Sequence, residues 1–171
     1  MWLTPGTQPM LTKNNLHKTA MDAVFAKIKM NLGVYPTLAR EDRRIWLEIE
    51  DAVADTVTIR VCAKQGTVWP RVLGITQDHE RIVFVDYEGS QDIKQCRFYV
   101  LDKSAWEQAL DRRLKQHASD YPEHKFTIVN NTPVFSLQPG QKGGLFTGTD
   151  FRVQDVSEYE NAWHRLRPQR S

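Results

Sequence analysis

Residues 44–64 read RIWLEIEDAVADTVTIRVCAK, and this stretch decides the fold. Every second residue is apolar in both halves of the stretch. The alternating apolar residues are Ile45, Leu47 and Ile49, followed by Val57, Ile59, Val61 and Ala63. Alternation with a period of two is typical of β-strands that bury one face. The polar segment Asp51–Asp55 between the halves is short enough to turn the chain, so we predict a β-hairpin.

The sequence on both sides of the hairpin predicts helices and further strands. Apolar residues recur every four positions over 15–32, which predicts a helix that ends at Gly33. We further predict strands over 81–87, 97–101 and Phe126–Val129, a helix from Ser104 with a capping box to Glu107, and a last helix from near Asp155. The segment Thr132–Gly148 is rich in Pro and Gly, which indicates an extended loop.

This order of elements predicts one α/β domain with a mixed central β-sheet flanked by helices. We place the domain at residues 15–166, between an irregular N-terminal arm over 1–14 and a C-terminal tail over 167–171.

The composition favours an ordinary globular protein. The chain has 171 residues, and its net charge of +2 is too weak to indicate nucleic acid or an anionic membrane as a partner by itself. Two cysteines are too few for a disulfide scaffold. The apolar clusters are shorter than the ~20 residues that span a bilayer, and the N-terminus does not resemble a signal peptide. We therefore expect a cytoplasmic protein with no membrane partner.

Carboxylates and a lysine occupy outward positions of the hairpin. Glu48, Glu50 and Asp51 lie on or beside the first strand, and Lys64 projects from the second. Mg²⁺ and Mn²⁺ bind such oxygen ligands, and a nearby lysine stabilises charge or orients the attacking water. This pattern indicates Glu48, Glu50 and Lys64 as catalytic residues of a metal-dependent nuclease, with Glu50 and Asp51 as metal ligands. The alternative is a solvated strand face whose cross-strand ion pairs contribute ~0.2–1 kcal/mol each, and in that case no cofactor is needed.

Basic and aromatic residues follow each other along the second strand and the segment after it. They are Arg60, Lys64, Trp69 and Arg71. Cations beside an exposed indole can bind phosphates while the ring stacks on a base, so these four are candidate nucleic-acid contacts. The alternative is that Trp69 packs over the edge of the sheet, because large aromatic rings are mostly buried.

Several short motifs, taken in order, resemble the PD-(D/E)XK, or restriction-endonuclease-like, superfamily. The matching stretches are TIRVCAK over Thr58–Lys64, VFVD over Val83–Asp86, FYVL over Phe98–Leu101 leading into Ser104, and YENAW over Tyr159–Trp163. The resemblance covers about residues 15–166. It implies a restriction-endonuclease-like sheet flanked by helices, and binding of DNA more than of RNA.

The sequence departs from the superfamily at the residues that carry the chemistry. Arg60 falls where the motif has its Glu or Gln, and Cys62 falls where it has its lysine. A guanidinium cannot ligate Mg²⁺, and a neutral thiol cannot replace an ammonium. Lys64 would have to replace the motif lysine through a two-residue shift along the same strand face. The resemblance therefore implies weak or lost cleavage.

Three functional hypotheses follow. The first is a nuclease-fold domain that binds nucleic acid with weak or lost metal-dependent cleavage. The second is a protein–protein adaptor or inhibitor, from a mobile element or a phage-defence system, that keeps the fold without the chemistry. The third is an active nuclease that uses Mg²⁺ or Mn²⁺. An adaptor is expected to expose an apolar patch of several hundred Å², whereas nucleic-acid binding is expected to weaken steeply with salt.

Overall fold

The helices and strands of the protein are given by a computed structural model, which describes residues 13–50, 56–87, 96–136 and 146–167. The helices are α1 (Lys13–Leu32), α2 (Lys103–Asp120) and the single-turn α3 (Val153–Val156), followed by 3₁₀ turns over Ser157–Tyr159 and Trp163–Leu166. The strands are β1 (Thr37–Glu41), β2 (Arg44–Glu50), β3 (Thr56–Lys64), β4 (Trp69–Val72), β5 (Glu80–Asp86), β6 (Arg97–Leu101), β7 (Lys125–Val129), β8 (Thr132–Ser136), β9 (Phe146–Thr147) and β10 (Thr149–Phe151).

The central sheet has five strands in the order β1-β2-β3-β5-β6. The strands β1, β2 and β3 run antiparallel to one another, β5 runs parallel to β3, and β6 runs antiparallel to β5. The prediction of a mixed sheet in an α/β domain is therefore confirmed, as is the pairing of β2 with β3. The predicted turn over 51–55 lies outside the described residues.

Both faces of the central sheet are covered. On one face α1 packs against β3, and Lys27 of α1 lies over the ring of Phe98 in β6. On the other face Phe84 of β5 packs against Trp69 and Phe151, with ring centroids 4.9 and 5.9 Å apart. Strand β5 is covered on both sides, and this explains its continuous apolar run. In β2 and β3, by contrast, apolar residues alternate with polar ones.

The two long helices lie close to their predicted positions. Helix α1 ends at Leu32, and Gly33 after it has a φ of +68° and donates its N–H to the carbonyl of Lys29. The predicted start of α2 was wrong, because the cap is Asp102 and not Ser104. Asp102 Oδ1 accepts the N–H of Ala105 at 2.9 Å, which leaves the exposed Ser104 inside the first turn.

The second half of the chain corrects two further predictions. The segment Thr132–Gly148 is not simply a loop, since it contains β8 and β9 in a three-stranded sheet of order β7-β8-β9. The last helix is not continuous, since α3 is followed by two 3₁₀ turns. The residues predicted to be buried there are nevertheless buried: Val156, Tyr159, Trp163 and Leu166.

Besides β8 and β9, the sequence patterns missed three strands. These are β1 at one edge of the central sheet, and β4 and β10, which pair with each other in a two-stranded sheet. Among the described residues, no helix is both long enough and apolar enough to cross a membrane.

Candidate functional site

Lys64 and Asp86 form a buried ion pair where β3 and β5 end. The parallel register sets the two residues side by side, and Lys64 Nζ lies 2.7 Å from Asp86 Oδ1. The same ammonium donates to the carbonyl of Gly66 at 2.9 Å and lies 4.7 Å from the centre of the Trp69 ring. These internal contacts hold the charge of Lys64 inside the protein, away from the surface where it would meet a phosphate.

Trp69 is part of the core. Its side chain is 1% exposed, and its Nε1 donates to the carbonyl of Val85 at 3.2 Å. The ring packs against Phe84 and, edge-on, against Tyr99. The prediction of a surface indole that stacks on a base is therefore corrected, and the alternative that Trp69 packs over the sheet is the one observed.

Arg60 makes local contacts within the protein. Its Nη2 donates to the carbonyls of Leu73 and Gly74, and its side chain is half-buried.

Arg71 is the remaining candidate nucleic-acid contact, and it is exposed. The backbone of Arg71 has a φ of +46°, and its N–H donates to Asp150 Oδ1 at 3.1 Å. Of the four candidate contacts, Arg71 alone is an exposed side chain.

The predicted catalytic carboxylates do not meet Lys64. The register pairs Glu48 with Thr58 and Glu50 with Thr56, both in the first part of β3. At about 3.3 Å per residue, roughly 20 Å of strand separates Thr58 from Lys64 and roughly 26 Å separates Thr56 from it. A lysine that orients the attacking water must lie within hydrogen-bond reach of it, about 2.6–3.2 Å, so a single centre built from Glu48, Glu50 and Lys64 is wrong.

The surroundings of the carboxylates favour the solvated-face alternative. Glu48 accepts a hydrogen bond from Trp46 Nε1 at 2.8 Å, and Glu50 is exposed. Asp51, the other predicted metal ligand, lies outside the described residues. Within the part of the chain that the structure describes, no three Cys, His, Asp or Glu side chains are grouped so that they could hold a metal.

Cys62 is also unsuited to the role of the motif lysine. Its side chain is half-buried against the core, and burial raises the pKa of its thiol, an effect that the nearby Arg60 partly opposes. A thiol with a raised pKa is neutral at physiological pH and is a poor nucleophile. Cys62 therefore contributes to packing of the core.

A different surface, on the β7–β8 hairpin, was not identified from the sequence. Asn130 and Asn131 join the two strands with φ values of +53° and +56°, as a two-residue type I′ turn requires. The carbonyl of Asn131 accepts a bond from Trp106 Nε1 at 2.8 Å, and Thr132 Oγ1 accepts the N–H of Gly74 at 2.8 Å. The tip of the hairpin is thus fixed to α2 and to the segment after β4.

The base of the hairpin is held by aromatic contacts. The ring of Phe135 in β8 is buried and lies 4.3 Å from the ring of His117 in the last turn of α2. His117 Nε2 lies 3.0 Å from His124 Nδ1, and Tyr121 stacks on His124 at an interplanar angle of 9°. Burial lowers the pKa of His117, and the charges of Arg113 and His124 lower it further. The neutral form of His117 is therefore favoured.

Strand β7 is anchored at both ends and exposed along its whole length. All five of its residues are exposed, including three large hydrophobic ones. These are Phe126 at 39%, Ile128 at 46% and Val129 at 53%. We name β7 and these three side chains the β7 edge. Among the described strands, β7 pairs only with β8, so its other side has no strand neighbour.

The turn geometry determines which backbone groups face outwards from the β7 edge. In an antiparallel ladder, hydrogen-bonded and non-hydrogen-bonded pairs alternate, and the pair next to a two-residue turn is hydrogen-bonded. Val129 and Thr132 form that pair, so Ile128 opposite Pro133, and Phe126 opposite Phe135, are non-hydrogen-bonded pairs. This assignment agrees with Pro133, which has no N–H to donate. The N–H and C=O groups of Phe126 and Ile128 therefore point away from β8.

A comparison of the chain with protein-family models, curated proteins and solved structures finds no match. The fold established for the chain is an α/β domain with a mixed five-stranded sheet.

Proposed function

We propose that this protein is a protein-binding adaptor that pairs an extended segment of its partner with the β7 edge. The observation that carries the proposal is a whole strand that stays exposed although three of its five residues are large hydrophobics. Exposed apolar surface of this kind marks interaction sites in proteins. A strand with free backbone groups is, in addition, a template on which another chain can add a strand.

The chemistry of the β7 edge defines the partner. Outward N–H and C=O groups at Phe126 and Ile128 suit the backbone of an extended peptide, with two donors and two acceptors in the described strand. Phe126 and Ile128 lie on one face of the hairpin, two residues apart, so they favour a partner with apolar side chains at alternate positions. Strand β7 carries one charge, Lys125, where natural sheet edges often carry several as protection.

Nucleic-acid binding, the function that the resemblance implies, has less support from the described residues. Lys64 and Trp69 are buried, and Arg60 donates to backbone carbonyls, so their interactions are made within the protein. Arg71 is exposed, but one phosphate contact adds little to affinity, and the net charge of the whole chain is only +2. Metal-dependent cleavage has still less support, because the register separates Glu48 and Glu50 from Lys64.

The experiment uses peptides, since the natural partner is unidentified. A displayed library of random peptides of about 12 residues, long enough to exceed a five-residue strand, is selected on the full chain. Selected peptides are then titrated against three proteins: the wild type, Ile128→Pro and Leu38→Lys. Proline at 128 removes an outward N–H and the apolar side chain while leaving the bonds to β8 in place. Leu38, an exposed residue of the other edge strand β1, provides the matched control.

We expect selected peptides to share alternating apolar positions, to bind wild type and Leu38→Lys equally, and to lose at least about tenfold in affinity for Ile128→Pro, which equals 1.4 kcal/mol. Equal binding to Ile128→Pro would contradict the proposal.

A parallel assay with single- and double-stranded DNA and RNA tests nucleic-acid binding. Salt-sensitive binding that Arg71→Ala weakens, without peptide binding, would replace the adaptor by a nucleic-acid-binding domain.

A further inference from the structure

The contact between His117 and His124 requires a hydrogen on one of the two facing nitrogens and none on the other. The distance of 3.0 Å between Nε2 of His117 and Nδ1 of His124 is that of a hydrogen bond, so one nitrogen donates and the other accepts. An imidazole that carries both protons has no acceptor left. When both rings are protonated, two N–H groups and two positive charges face each other, and the contact cannot persist.

This contact lies where the hairpin meets α2. His117 packs its ring against Phe135 at 4.3 Å and against Tyr121 at 5.1 Å. Phe135 in turn lies opposite Phe126 in the register, with ring centroids 5.8 Å apart. A continuous set of ring contacts therefore connects the histidine pair to the first half of the β7 edge.

The charged groups around His117 determine how it responds to acid. On α2, Arg113 opposes protonation of His117 and Asp120 favours it, and Glu123 in the turn after α2 also favours it. Glu123 Oε1 lies 3.8 Å from His124 Nε2, and strand β8, which packs on the ring, carries no charged residue. Burial has the largest effect on the pKa of His117, which it lowers, and so His117 is neutral near pH 7.

We propose that the His117–His124 pair is an acid-sensitive latch that holds the base of the β7–β8 hairpin and so regulates presentation of the β7 edge. At neutral pH the pair is hydrogen-bonded and the hairpin is held against α2. In acid, once Nε2 of His117 and Nδ1 of His124 both carry a hydrogen, the hydrogen bond is lost and β7 separates from its aromatic support. The regulatory meaning of the latch rests on the proposed function, whereas its physical operation does not.

The test is amide hydrogen exchange of the whole chain at about pH 7.5 and about pH 5, corrected for the intrinsic exchange rate, because histidines titrate between these values. We expect protection of β7 and β8 to fall in acid relative to β3 and β5, roughly tenfold for each unit by which the pKa differs between latched and released states. His117→Phe keeps a ring against Phe135 and cannot titrate, so it should remove this response. His164→Gln, at an exposed histidine, should retain it.

A second variant keeps the test decisive if His117→Phe does not fold. His124→Gln leaves the buried ring in place and removes the second imidazole of the pair, so it too should abolish the acid response. The proposal is overturned if hairpin protection in the wild type does not change with pH, or if the folded variants respond as the wild type does. Peptide binding that is equal at both pH values despite acid loosening would also overturn the regulatory role. Absence of peptide binding at neutral pH, with normal acid loosening, would contradict the proposed function alone.

Discussion

Lys64 and Asp86 lie side by side on parallel strands, with Nζ and Oδ1 2.7 Å apart and both side chains buried. We expect either single change, Lys64→Ala or Asp86→Ala, to lower the free energy of unfolding by about 3–5 kcal/mol, because it removes one charge of a buried ion pair. The double change Lys64→Met with Asp86→Leu should cost much less than the sum of the two. Urea denaturation measures all three. A single variant within about 1 kcal/mol of the wild type would contradict a buried, mutually dependent pair.

Gly74 is packed against the turn of the β7–β8 hairpin. A Cβ atom at this position would lie 2.1 Å from the carbonyl oxygen of Asn131, whereas a Cβ atom at Gly66 would meet nothing within 4 Å. Gly74→Ala should therefore destabilise the protein by about 1–3 kcal/mol or more, while Gly66→Ala should lie within about 0.5 kcal/mol of the wild type. Thermal and urea denaturation of the two variants provide the comparison. Equal stabilities would mean that the hairpin tip is not fixed at Gly74.

Asp102, not Ser104, is expected to determine the stability of the first turn of α2. Asp102 Oδ1 accepts the N–H of Ala105, and both carboxylate oxygens accept hydrogen bonds from Arg165 at 3.2 Å. Loss of a cap costs about 0.5–2 kcal/mol, so Asp102→Ala should cost at least that much, and Ser104→Ala almost nothing. Unfolding free energies of both variants test this ranking. The reverse order would restore the capping box expected from the sequence.

Stability should decrease in mild acid because of His117. Its pKa is lower in the folded protein than its usual value of 6.5, chiefly because the ring is buried. The unfolded chain therefore binds a proton first as the pH falls below about 6.5, and stability is lost progressively down to the folded-state pKa. Denaturant titrations at a series of pH values should show this loss in the wild type. The loss should be smaller in His117→Phe, and equal slopes for both proteins would exclude the histidine as its source.

The parts of the fold that follow from local pattern could be predicted. Alternation over 44–64 gave β2 and β3, the continuous run before Asp86 gave the central strand β5, and spacing of four gave α1. The strand β1 was missed because it is short and mostly exposed, and β4 was missed because its buried residues stand only at its two ends, which is not an alternating pattern. The final helix was overestimated because the buried residues Tyr159 and Trp163 lie at helical spacing, although the backbone between them is not helical.

The candidate site could not be predicted to the same extent, for a physical reason. Sequence alternation reports which face of a strand a residue occupies, and it correctly grouped Arg60 with Lys64. It does not report the register between strands, and the register separates Glu48 from Lys64 and brings Lys64 to Asp86. The pair Asn130-Asn131 between two apolar runs was the available signal for the β7–β8 hairpin, since Asn tolerates a positive φ. Exposure of β7 depends on tertiary contacts that no local pattern encodes.

The most direct test of the proposed function is the amide of Ile128 in the full chain, followed by NMR while a selected peptide is added. Strand pairing at the β7 edge predicts that the N–H groups of Phe126 and Ile128 become hydrogen-bonded. Their exchange should slow by at least about tenfold, while the N–H of Leu38 on β1 keeps its rate. If the peptide binds and these two amides exchange as fast as before, the partner does not add a strand to β7, and the central claim is contradicted.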